Sequence, residues 1–157
     1  MLQVGGSMPM ERPMPETPAL MSVAELEAFL ERDFPQIHHG GRSFSVEHAA
    51  HGVATLRLHY HERHLRPGGT ISGPAMFALA DLAMYVAVLA SIGPVGLAVT
   101  TNLSINFLTK PEPGDLIGDC RLLKLGKRLA VGEVSIRRDG SDVLVAHATG
   151  TYSIPPR

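Results

Sequence analysis

The sequence predicts an α+β fold: one long, buried helix enclosed by an antiparallel sheet. Two observations carry this expectation. Between Pro67 and Thr109 the only charged side chain is Asp81, and the run from Ala75 to Ala90 is otherwise apolar on every side, as in a helix wrapped by other structure. After Val99 the pattern changes to a period of two, broken by the turn signals KPEPGD, LGKR and RDGSD. That is the signature of successive antiparallel strands, and helices gathered on one face of such a sheet make an α+β layout.

Taken in order, residues 1–20 are rich in Met, Pro and Gly and show no periodicity, so a flexible tail is expected ahead of a single domain over 21–157. Ser22 opens SVAE, a capping box completed by Glu25. Val23, Leu26, Phe29, Leu30 and Phe34 follow at helical spacing until Pro35. From Phe44 to Tyr60 the residues alternate, with Ala54, Leu56, Leu58 and Tyr60 opposite Thr55, Arg57 and His59, and predict one half-buried strand. HERHLRPGGTISG reads as an irregular loop, with Gly68 and Gly69 permitting a turn or a close backbone approach. Pro74 suits the first position of a helix that runs to about Ser91. Its many alanines would let a sheet come close. Strands are then expected over Val99–Thr109, Leu116–Leu125, Leu129–Arg138 and Val143–Ile154.

Composition narrows the function. A net charge of -1 gives no general attraction to nucleic acid or to an anionic membrane, and without tryptophan a base-stacking surface is not expected. Cys120 is the single cysteine, so no internal disulfide can form and a reducing compartment is expected. No signal-peptide pattern opens the chain, and the apolar run from Ala75 to Ala90 falls short of the ~20 residues of a membrane span. The expected location is cytoplasmic. His59, His61 and His64 have H-x-H-x-x-H spacing but no third ligand of fixed geometry, so no metal or cofactor is expected. No serine sits in a G-x-S-x-G elbow.

Asp81 is the residue that asks for an explanation. An ionised carboxylate drawn out of water must be paired, hydrated or protonated, and no cation lies near it in sequence. It is a candidate general base; the alternative is a structural Asp bonded to a nearby hydroxyl or backbone group. Gly73 stands where a helix start offers free N–H groups to an oxyanion, although Ser72 or Gly73 could equally be a plain N-cap. Lys124, Lys127 and Arg128 gather on one hairpin, either as a grip for phosphates or as a solvated turn.

Over roughly residues 45–154 the chain resembles the hotdog acyl-CoA thioesterases, in particular the phenylacetate-degradation type. Ser72-Gly73-Pro74 stands at that family's His-Gly-Gly triplet, and Asp81 stands at its aspartate, seven residues after the second glycine. The strand Val99–Thr109, KPEPGD and LLKLGKRLAVGEVSI are similar as well. The resemblance implies hydrolysis of an acyl-CoA thioester. Asp81 would activate water or attack the carbonyl, the Gly73 N–H would polarise that carbonyl, and the Thr100 hydroxyl would orient the water. It also implies a homodimer or homotetramer with the site between subunits. Three positions depart from the pattern: Ser72 replaces the histidine, Pro74 replaces the second glycine, and Arg66 stands where asparagine is frequent. Ser72 and Arg66 are expected to touch substrate. Met76, Met84 and Tyr85 are candidates for the acyl pocket. Two other readings stay open: a hotdog dehydratase or hydratase using His64 with the helix acid, and a non-catalytic acyl-CoA or lipid binder.

Overall fold

The first helix, α1 (Val23–Asp33), begins at the expected capping box. Ser22 Oγ accepts from the Glu25 N–H at 3.1 Å, and Glu25 Oε1 accepts from the Ser22 N–H. Leu26, Phe29 and Leu30 form its buried face, and Pro35 starts a short 3-10 turn to His38. The structure is a computed structural model describing residues 15–38 and 41–157. Residues 1–14 of the expected tail lie outside the described residues. From Thr17 the chain lies against the body: Thr17 O accepts from His51 N, and Leu20 N donates to Ala90 O.

The single strand expected over Phe44–Tyr60 is instead a hairpin, β1 (Phe44–Ala50) and β2 (Val53–Leu58). The reason is geometric. A two-residue turn at His51-Gly52, with Gly52 at φ 76°, exchanges inward and outward positions. A β-bulge between Val46 and His48 exchanges them back. Phe44, Val46, Ala54, Leu56 and Leu58 therefore all face inward, and the alternation runs through the turn without a break.

The strands β3 (Val99–Phe107), β4 (Leu116–Leu125), β5 (Leu129–Arg138) and β6 (Leu144–Ser153) complete a six-stranded antiparallel sheet in the order β1-β2-β4-β5-β6-β3. The helix α2 (Gly73–Ile92) lies in its concave face, which is the hotdog architecture. Its seats are glycines as well as the helix alanines. Gly132 and Gly150 face each other across β5 and β6, and Met84 rests on both: a Cβ on Gly150 would stand 2.8 Å from its sulfur, and one on Gly132 would stand 3.2 Å from its methyl. Gly118 makes the same room for Leu79. A methyl at any of these positions would press on its neighbours, most severely at Gly150.

Two expectations about α2 need correction. It has 20 residues, long and apolar enough to cross a bilayer, but Leu79, Ala83, Met84, Val86 and Leu89 are fully buried in this domain. It is also not covered all round. Pro74, Phe77 and Ala78 are exposed or partly so and Asp81 is half-buried, a stripe at i, i+3, i+4 and i+7 that the single chain leaves open.

Candidate active site

Asp81 sits on that open stripe, and its partners come from the sheet. Thr100 on β3 and Tyr152 on β6 are directly opposite each other in the ladder. The Thr100 hydroxyl donates to Asp81 Oδ1 at 2.5 Å. The Tyr152 hydroxyl shares its proton between Asp81 Oδ1 at 2.7 Å and the Asp81 carbonyl oxygen at 2.9 Å. Burial and the adjacent Asp81 carboxylate push the Tyr152 phenol pKa up, so it stays protonated and remains a donor. Both hydroxyls hold Oδ1, and Oδ2 is left to a cavity of about 990 Å3 that Asp81, Thr100 and Tyr152 line together. Phe29, Phe34, Leu82, Tyr85 and Leu97 give that cavity apolar wall, and Asp33, Gln36, Ser43, Arg63 and His64 line it as well.

Gly73 lies elsewhere. Ser72 is the N-cap of α2, its Oγ accepting from the Ala75 N–H at 3.3 Å, so its hydroxyl serves the helix. A Cβ on Gly73 would stand 3.1 Å from Phe107 Cζ, at the tip of a half-exposed ring. With Arg66, Met76, Phe107 and Lys110, Gly73 lines a second cavity of about 440 Å3. The eight residues from Gly73 to Asp81 separate them by about 12 Å along the helix axis. Within one chain they cannot act on the same carbonyl group.

Arg66 is exposed at the rim of the second cavity. Its loop is closed by Arg66 N to Thr70 O and Gly69 N to Arg66 O, with Gly68 and Gly69 at φ 102° and 81°; these glycines form a turn. Lys124, Lys127 and Arg128 lie at the β4–β5 hairpin and line neither cavity. Of the three candidate acyl-pocket residues, Tyr85 lines the Asp81 cavity and Met76 the other. Met84 lines neither, because the glycine seats hold it against the sheet.

His59 pairs with Ser45 Oγ at 2.9 Å, and His61 Nδ1 accepts from Arg63 N. Among the described residues no three His, Cys, Asp or Glu side chains gather as a metal site. Cys120 is buried, which with nearby Glu133 pushes its thiol up to about 12; it is no nucleophile at neutral pH. Tyr152 is the site residue that the sequence did not disclose. Nothing local marks it, since only the register of β3 on β6 brings it to Asp81.

Comparison with known proteins agrees with the fold. Residues 68–145 match a family model described as Thioesterase superfamily. A solved structure from a Silicibacter species, described as a candidate thioesterase, is 51% identical, with 90% of this chain and 96% of that one covered and a TM-score of 0.80. A protein of Saccharolobus solfataricus named as a candidate esterase is 31% identical over 137 residues, 86% of this chain and 87% of its own length. A variant of the phenylacetic acid degradation protein PaaI from Thermus thermophilus is 26% identical, with coverage of 82% and 99% and a TM-score of 0.64.

Proposed function

Because the chain belongs to the thioesterase superfamily, we propose that it hydrolyses the thioester bond of an acyl-CoA, releasing the free acid and CoA. The observation that carries this reading is the asymmetric grip on Asp81. Thr100 and Tyr152 fix Oδ1, and Oδ2 is presented to a cavity large enough for an acyl group. As general base, Oδ2 takes a proton from water while the water oxygen attacks the thioester carbon. The C–S bond then breaks, and the proton goes to the departing thiolate. As nucleophile, Oδ2 attacks the same carbon, the C–S bond breaks to release the thiolate, which takes a proton from solvent, and water later cleaves the mixed anhydride to the free acid and the Asp81 carboxylate. Thr100 spends its proton on Asp81, so it orients the carboxylate rather than the water.

The Gly73 N–H contributes to this reaction only from a second copy of the chain, given the ~12 Å between Gly73 and Asp81 within one. Two further features support a homodimer or homotetramer. The edge strand β3 and the segment after it expose Val99, Phe107 and Leu108, and the open stripe of α2 exposes Phe77. Such surface calls for a symmetric partner. Lys124, Lys127 and Arg128 are free to meet the CoA phosphates from outside either cavity.

Incubation with a panel of acyl-CoAs, following free thiol, tests the proposal. Thiol release supports it. Hydration of an enoyl-CoA without thiol, or binding without turnover, would replace it with one of the two other readings. Light scattering should give a dimer or tetramer mass; a strict monomer would remove the shared site.

A further inference from the structure

His64 lines the cavity and takes no part in the proposed reaction. Its backbone is fixed: His64 O accepts from Ser72 N at 2.7 Å, and Leu65 pairs with Ile71. The imidazole lines the same cavity as Asp81. Nδ1 is covered by protein and has no hydrogen-bond partner among the described residues. An N–H buried without an acceptor is the rarer arrangement, so the proton belongs on Nε2, the nitrogen a ligand can reach. Burial, helped by the charges of Arg63 and His61, lowers the His64 pKa and keeps the ring neutral. A neutral N–H donor of this kind suits a neutral carbonyl oxygen rather than a phosphate.

Its distance from the reacting centre says which carbonyl. His64 is tied to Ser72, nine residues before Asp81, which is about 13 Å along α2. That distance matches the amides of the arm that carries the thioester, which lie roughly 5 and 10 Å beyond the sulfur by peptide dimensions.

We infer that His64 Nε2–H binds an amide carbonyl of the pantetheine arm. The inference rests on the thioesterase reading for the identity of the arm. His64 is thus a positioning residue.

Two measurements test it. In protein labelled with 15N at histidine, the His64 ring signal, identified by its loss in His64→Ala, should move when pantetheine alone is added to saturation. Kinetics then compare one acyl group on CoA, on N-acetylcysteamine and on ethanethiol, which has no amide. His64→Ala should raise KM about tenfold on the first two, the factor one hydrogen bond carries, with kcat and the ethanethiol thioester little changed. His64→Gln, which keeps an N–H, should restore part of the loss. A ring signal indifferent to pantetheine, or an equal loss on all three thioesters, overturns the inference. Absence of thiol release by the wild-type protein would instead count against the thioesterase reading, and the pantetheine titration would still decide the role of His64.

Discussion

Tyr152 and Asp81, 71 residues apart in the chain, are joined by one phenol proton shared between the carboxylate Oδ1 and the backbone carbonyl of the same aspartate. The strand therefore fixes both the side chain and the helix turn that bears it. Tyr152→Phe keeps the ring packing against Tyr85 and removes only this bond. Stability should fall by about 1 kcal/mol. Thiol release should fall about tenfold, mainly in kcat, because the carboxylate is then held by Thr100 alone. Steady-state kinetics and thermal melting on one preparation check both.

Asp81→Asn keeps the oxygen that accepts from Thr100 and Tyr152 and replaces the reactive Oδ2 with an amide. The fold should survive, with a melting temperature equal to or above that of the wild type, since a partly buried charge is gone. Activity should drop roughly 100-fold or more, because neither proton abstraction nor attack remains. An active Asp81→Asn protein would end the assignment.

If Lys124, Lys127 and Arg128 hold the CoA phosphates, their joint replacement by Ala should raise KM for acyl-CoA with little change in kcat, the mark of uniform binding. A thioester without the nucleotide should be unaffected. Equal effects on both substrates return these side chains to a solvated hairpin.

Gly150→Ala adds a methyl that would stand 2.7 Å from Leu103 Cδ1 and 2.8 Å from Met84 Sδ. The helix must lift or Met84 must leave its rotamer, at a cost of roughly 1–3 kcal/mol. Denaturant unfolding should show the midpoint falling without a change in slope. An unchanged midpoint would mean that α2 does not rest on these glycines.

Arg57 binds three carboxylates: Glu47, Asp115 at 3.0 Å and Asp139 at 2.7 Å. Its hydrogen bond holds Asp139 below the ordinary carboxylate value. A lowered pKa contributes stability above the unfolded value and loses it as pH falls through the folded one. Melting temperature should therefore decline as pH drops below about 4. Arg57→Ala takes the shared cation from three neighbouring acids, so its deficit should be largest near neutral pH and shrink in acid. A deficit independent of pH would contradict this.

The sequence by itself determined what depends on neighbours along the chain. The capping box at Ser22 and Glu25, the proline that opens α2, the strands β3 to β6 and the lone acid in an apolar helix are all legible, because helix and strand periods are written locally. Tertiary structure decided what depends on register and closure. A bulge hid the β1–β2 turn by restoring the alternation, the ladder of β3 on β6 delivered Thr100 and Tyr152 to one oxygen of Asp81, and the straight run of α2 put Gly73 beyond the reach of Asp81 in the same chain. A contact such as that between Tyr152 and Asp81 leaves no trace in local periodicity, since it is fixed by which strands pair and not by which residues adjoin.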